Sequence, residues 1–407
     1  MKAPKHRWAF KRYIKPNSFS WKSSSLARKR LKEALSEIKK VTKTDSRIAA
    51  YGIVDLAERI WPSFQDIDTS SGALGTAVHN TLSSCVPIFS AASLGEEERN
   101  TLLEKLFEAI QDDGVDYLGI LGEQWGELCQ SEEIASRWAD DLLGTLRACW
   151  EDDKPGGYFS GTTACLSSLL KSGRHKDLDE ILEICPVKMW HYCKFRFRSL
   201  ITQGKKAEAM RYAQELVDEI NAPVGQIYEA CEEILLSSGL YEEAYQKFGL
   251  LWTERNSHLA TFRAIAKKYP QIEKKRILQD LVNEHAGNEG KWFATAKELG
   301  EFEFAIELAN KSPCDPKTLS SAAEKYADSN PDFAMNSGIT AIRWLCDGYG
   351  YEITNFDVVD AFRFTLVAAE LLGRKDETLN QITKYISQAH SSFVEESLAH
   401  LLKEHQK

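Results

Sequence analysis

Apolar residues recur at helical spacing along almost the whole chain. Ala209, Ala213, Leu216, Val217 and Ile220 form one stripe, and Phe302, Ala305, Ile306 and Ala309 another. Residues three and four apart share one face of an α-helix, so each stripe predicts an amphipathic helix with one side to bury. Such stripes, broken at short intervals, run from about residue 24 to 404. They predict a mostly helical chain with no sheet of three or more strands. Prolines act as punctuation. Pro62, Pro155, Pro186, Pro223, Pro270, Pro313 and Pro331 are read as lying between stripes, because proline lacks the N–H that a helix interior needs.

The joints between stripes share a form in which an apolar helix ends in Gly and an acidic, Ala-containing helix begins within a few residues. Examples are Ser238-Gly239-Leu240-Tyr241-Glu242-Glu243-Ala244 and Leu299-Gly300-Glu301-Phe302-Glu303-Phe304-Ala305, with further joints at Gly173, Gly204 and Gly373. Tyr269-Pro270 and Asn330-Pro331 occupy the missing places with a different breaker, which separates the joints by 31, 35, 31, 30, 30 and 43 residues. That period is one helix pair, and stacked pairs bury a continuous core. The joints resemble tetratricopeptide-type repeats, in a degenerate form because most units lack the full consensus of the first helix. Residues 46–155 read as irregular HEAT-like pairs. The expected fold is all-α, an α-solenoid of helix pairs of tetratricopeptide and HEAT-like type. Its expected segments are 1–45 (a basic, aromatic-rich arm and first helix), 46–155 (irregular pairs) and 156–407 (tetratricopeptide-like repeats).

Three stretches, Cys231-Glu232-Glu233-Ile234-Leu235-Leu236-Ser237-Ser238-Gly239, Gly161-Thr162-Thr163-Ala164-Cys165-Leu166 and Trp344-Leu345-Cys346-Asp347-Gly348-Tyr349-Gly350-Tyr351-Glu352-Ile353-Thr354, resemble a bacterial family of uncharacterised helical-repeat proteins. The C-terminal third is similar to the solenoid that follows the zinc finger in bacterial SWIM-domain proteins. The finger itself is missing, since no C-x-C followed by C-x-H occurs, so its nucleic-acid role does not transfer. What the resemblance implies is fold and bacterial origin.

Composition agrees with a folded helical chain. Apolar residues at 43% and charged ones at 27% argue against wholesale disorder, and only 24 Gly and 11 Pro in 407 residues argue against an all-β chain. The nine cysteines are odd in number and never form C-x-x-C, which fits thiols in a reducing cytoplasm rather than a secreted disulfide framework. The longest uncharged stretch, 69–95, is too rich in Ser, Thr and Gly to span a bilayer. No apolar segment follows the basic start as a secretory signal requires. A transit peptide is disfavoured by Pro4, Pro16 and the many lysines.

Charge is polarised. The net charge is −9, yet residues 1–47 hold 15 Lys or Arg against 3 acids, and residues 96–153 hold 17 acids against four bases. In the basic arm Trp8, Phe10, Tyr13, Phe19 and Trp21 alternate with Lys and Arg, a pattern that can neutralise phosphates and stack on bases. The same pattern suits an arm lying on its own acidic body with its rings buried, and five rings in so short a segment favour that reading. Lys5, Arg7, Trp8, Lys11, Arg12 and Lys22 are the candidate contacts on the arm. Tyr349, Tyr351 and Glu352, in a Gly-flanked loop, are the candidate contacts for a protein partner.

Catalytic patterns are weak. Gly156-Gly157-Tyr158-Phe159-Ser160-Gly161-Thr162-Thr163 has phosphate-loop spacing, but Thr162 stands where the essential Lys must be. Cys185, His191 and Cys193 lack a fourth ligand at workable spacing, so no metal is expected. His79, His258 and His285 each stand alone in sequence, and acidic clusters such as Glu96-Glu97-Glu98 sit where helix starts stabilise negative charge. No G-x-S-x-G elbow occurs. The expectation is a cytoplasmic, non-enzymatic scaffold or adaptor without a cofactor or membrane span, of open oligomeric state, that binds a protein or peptide. The alternative is a nucleic-acid-associated protein using the basic arm.

Overall fold

The protein is seen in a computed structural model that describes residues 6–151, 157–218, 224–251 and 257–405. Among the described residues there are twenty-two α-helices and no strand. The chain forms two compact units, Met1–Ile227 and Tyr228–Lys407.

In the first unit the helix Ser24–Thr42 turns Ala27, Leu31, Ala34 and Ile38 inward and packs on the helices Ser46–Phe64 and Ala73–Ser90. Asp45 starts the second of these by accepting a hydrogen bond from the Ile48 amide at 3.0 Å, one of the orphan donors at any helix start. A continuous apolar core runs from Trp8 in the arm to Phe195. Pro62 departs from the punctuation rule, because it lies inside Ser46–Phe64 and not beyond it. Its place in the last turn forfeits a single backbone bond, which the burial of Ile60 and Phe64 on either side of it outweighs.

The Gly joints are built alike. Gly173, Gly204, Gly239, Gly300 and Gly373 all have φ between 66° and 77°, the left-handed region that a Cβ disfavours. The residue after each donates back to the carbonyl five positions earlier: Arg174 to Leu169, Lys205 to Leu200, Leu240 to Leu235, Glu301 to Ala296 and Arg374 to Ala369, at 2.8–3.0 Å. This is the Schellman closure, which satisfies carbonyls left over at a helix end. Gly348 closes the helix Pro331–Cys346 in the same way, through Tyr349 and the Trp344 carbonyl. At Asn330-Pro331 the Asn side chain caps the Phe333 amide and Pro331 takes the first helical position, where no N–H is missed.

The second unit has a polar core of its own. Glu232 is fully buried and takes Lys268 at 2.6 Å and the Tyr269 hydroxyl. The Tyr269 ring packs edge-on against Tyr245, whose hydroxyl donates to Asp280 at 2.8 Å. The helices Pro316–Tyr326, Pro331–Cys346 and Asn355–Leu371 form its most closely packed group.

Candidate functional site

The arm is docked. Trp8 is 3% exposed, and Phe10, Ile14 and Phe19 are buried with it. The Trp8 indole lies where a side chain on Gly52 would stand, so the second helix accepts the ring only because that position lacks a Cβ. Glu37 of the first helix receives the amides of Ala9 and Phe10 at 2.7 and 3.1 Å. Lys11 pairs with Asp55 at 2.5 Å, and Arg30 stacks on Tyr13 at 4.3 Å. The Trp8 ring thus packs inside the first unit. The acids that meet the arm are Glu37 and Asp55, outside the 96–153 region. Arg7, Arg12 and Lys22 are exposed, and Lys5 lies outside the described residues.

Beyond the arm, the outward face of the first helix carries Arg28, Lys29, Lys32, Lys39, Lys40 and Lys43, all exposed. Among the described residues none of them has a carboxylate within ion-pairing distance. Both acids of that helix are used elsewhere, Glu33 by Arg30 at 2.7 Å and Glu37 by the arm. Trp21 stands just before the helix, 63% exposed, with its carbonyl held by the Asp68 amide at 3.0 Å.

In the second unit the loop between Cys346 and Asn355 presents Tyr349, Tyr351 and Glu352 outward. Gly348, Gly350 and Glu352 all have positive φ, and Ile353 packs against the Gly350 backbone. Lys317 donates to the Glu352 carbonyl at 3.1 Å. Thr354 and Asp357 close a reciprocal cap at the start of Asn355–Leu371. The loop is therefore tied at several points, and on it Tyr351 is 80% exposed, as is Phe356, the second residue of the helix. Val367 and Leu371 continue the same face and are also exposed, with Asp360 and Arg363 paired between them at 2.9 Å. The outer side of the helix thus carries three exposed apolar residues around one ion pair. Val367 and Leu371 stand eleven and fifteen residues after Phe356, spacings that return to the same face of a helix and are present in the sequence.

A cleft of about 500 Å³ in the first unit is lined by Gly72, His79, Asp116, Tyr117, Glu123 and His191, among others. Glu123 is held by His191 at 3.0 Å and by Lys194 at 2.6 Å. Burial pushes its carboxyl up, but hydrogen bonds from His191 and Lys194, together with their charge, outweigh this and hold it down at about 2. Lys194 is itself lowered by burial against the pull of Glu123. Cys185 meanwhile donates to the Val187 carbonyl at 3.2 Å, so His191 and Cys185 turn to different partners. Among the described residues no group of three or more His, Cys, Asp or Glu is placed to hold a metal ion. The Thr162 hydroxyl of the Gly-rich loop donates to the Phe159 carbonyl at 2.7 Å. Gly156, Pro155, Pro223, Asp152 and Asp153 lie outside the described residues. His258 and His285, isolated in sequence, meet on Trp292, with ring centroids 4.6 and 5.5 Å from it.

No protein-family model matches the chain, and no curated protein matches it. Among solved structures, the chain is similar to a circular tandem repeat protein with novel repeat topology and enhanced subunit contact surfaces, at 14% identity over 94% of this chain and 89% of that one, with a TM-score of 0.17. Among the described residues no helix is long and apolar enough to cross a membrane.

Proposed function

We propose that this is a non-enzymatic helical-repeat scaffold or adaptor that binds a protein or peptide through the Tyr349–Tyr351–Phe356 surface of its second unit. One observation carries the reading: two aromatic side chains, Tyr351 and Phe356, stand 80% exposed on a loop and helix start already fixed by Lys317, Gly350 and the Thr354–Asp357 cap. Aromatic side chains dominate binding energy at protein interfaces, and a surface ordered in advance loses little entropy on binding. A soluble monomer gains nothing from exposing such rings in a row. The apolar continuation through Val367 and Leu371, interrupted by the Asp360–Arg363 pair, suits a partner segment with apolar side chains on one face.

The reading places the protein in a reducing compartment such as the cytoplasm, and with the bacterial helical-repeat proteins that three of its segments resemble. In support, none of the nine cysteines forms a disulfide, and burial pushes thiols such as Cys85 and Cys165 up to about 12, which makes them poor nucleophiles. To test the surface, phage-displayed peptides are selected on the full chain and titrated against wild type and the double variant Tyr351→Ala, Phe356→Ala. Binding at least tenfold weaker in the variant is expected. Unchanged binding would move the site elsewhere, and failure to enrich any peptide would count against a peptide partner.

A further inference from the structure

The first unit separates its charges in a way that leaves one face of one helix with cations and two serines and no acid. On the helix Ser24–Thr42, Arg28, Lys29, Lys32, Lys39 and Lys40 fall within about a third of the circumference, opposite the buried Ala27, Leu31, Ala34 and Ile38. Lys43 at its end continues the row. Both acids of the helix lie outside this face, and the docked arm occupies one of them. It takes Glu37 through the amides of Ala9 and Phe10, while Glu33 is turned to Arg30. Six exposed cations then stand in a line with no carboxylate partner among the described residues. Like charges placed side by side are unfavourable unless something anionic lies across them.

We propose that this face binds single-stranded nucleic acid, its phosphates along Arg28 to Lys43 and a base on the Trp21 ring. A line of cations about 22 Å long matches about six phosphates of one stacked strand, whereas a globular acidic partner would need an apolar centre to its interface. Trp21 supplies what a phosphate row alone lacks. It is an exposed ring on a fixed backbone at one end of the line, and base stacking on such rings is tolerant of sequence. An anionic membrane fits less well, because the apolar face that an interfacial helix inserts is here committed to the core. The site differs from the arm contacts inferred from sequence, since Trp8 and Lys11 are consumed in docking. It is independent of the protein-partner surface in the second unit.

The test is fluorescence anisotropy of labelled single strands of about 20 nucleotides, DNA and RNA, with the full chain across a salt series that begins near 50 mM. Binding is expected at the low end, with log K falling against log salt at a slope of about −4, from about 0.7 per neutralised phosphate. The triple variant Lys32→Glu, Lys39→Glu, Lys43→Glu alters exposed groups only. It should melt as the wild type does, bind at least tenfold more weakly and show roughly half the slope. Replacing the same three by Gln should give a smaller loss in the same direction. Trp21→Ala should weaken binding roughly tenfold with the slope unchanged. The double variant at Tyr351 and Phe356 should bind as wild type, so that this proposal and the partner reading fail separately. A preference for RNA or DNA names the polymer. A wild-type chain that leaves both strands free at low salt, or a triple variant that binds like wild type, overturns the proposal. So does sedimentation with phosphatidylserine vesicles in place of oligonucleotide binding.

Discussion

Single residues in this chain show how differently one charge behaves in two settings. Arg99 is 1% exposed and makes no ion pair among the described residues, donating instead to the carbonyls of Phe89, Ser90, Ala92 and Leu128 at 2.9–3.3 Å. It thereby closes the C-terminal end of Ala73–Ser90, where carbonyls lack partners and cations are favoured. Within a run of acids, its letter reads as one more solvated charge, and nothing in the sequence marks it as interior. Glu123 is the opposite case, a carboxylate whose folded value of about 2 lies below its ordinary 4.5. Because the folded value is depressed, its stabilisation is complete above the unfolded value and is lost as pH falls from about 4.5 to about 2. Glu123→Gln should therefore lower stability at neutral pH, by about 1–3 kcal/mol after allowance for its partial exposure. It should also flatten the acid limb in that window, which urea titrations at stepped pH would record. An acid limb identical to wild type would show that the His191–Glu123–Lys194 contact contributes nothing.

At the scale of elements, most of what the sequence allows to be read is punctuation. Gly after an apolar stripe marks five joints in advance, because a left-handed residue is required there and Gly alone takes it without strain. The joint at Gly348 escapes the count, since it is followed by a loop and not by an acidic helix. Pro62 escapes it too, because a proline in a last turn looks in sequence like one just beyond. Gly239→Ala should cost about 1–2 kcal/mol, the strain of a Cβ at φ 74°. Gly144 provides the contrast. It lies in the interior of Glu132–Glu151 with open space where a Cβ would go, so Gly144→Ala should stabilise by about 0.5–1 kcal/mol. Opposite shifts of the melting temperature for the two alanines, read by calorimetry, are the expected outcome. Equal shifts would mean that the joints are not held by their left-handed geometry. What punctuation does not carry is which face of a helix stays uncovered. That Phe356, Val367 and Leu371 share a face of Asn355–Leu371 is visible as spacing, but spacing alone gives no sign that Phe356 and Leu371 stay exposed while Val358 and Ala369 are buried.

For the molecule as a whole, the polarised charge poses the question of what holds a strongly basic arm on the first unit. Attraction alone is a weak answer. Of the basic residues from His6 to Lys22, only Lys11 makes an ion pair among the described residues, and a partly exposed pair is worth about 0–1 kcal/mol. Burial of Trp8, Phe10, Ile14 and Phe19 contributes about 1.5–3 kcal/mol for each large side chain, well above what that one pair supplies. The rings therefore hold the arm, and its cations are left for other uses. Raising salt from about 0.1 M to about 1 M shortens the screening length from about 10 Å to about 3 Å, which weakens ion pairs and leaves apolar burial in place. Removing residues 1–20 should then lower the melting temperature of the full chain by several degrees, and by nearly the same amount at both salt concentrations. The truncated chain keeps Trp21 and the row from Arg28 to Lys43, but Glu37 loses the two amides that now hold its carboxylate, which frees that existing negative charge to turn toward the row. Its affinity for a single strand should fall modestly while the salt slope persists. A truncation that melts with the wild type would mean that the arm's rings do not support the fold. A destabilisation that vanishes at high salt would mean that charge, and not the rings, fastens the arm.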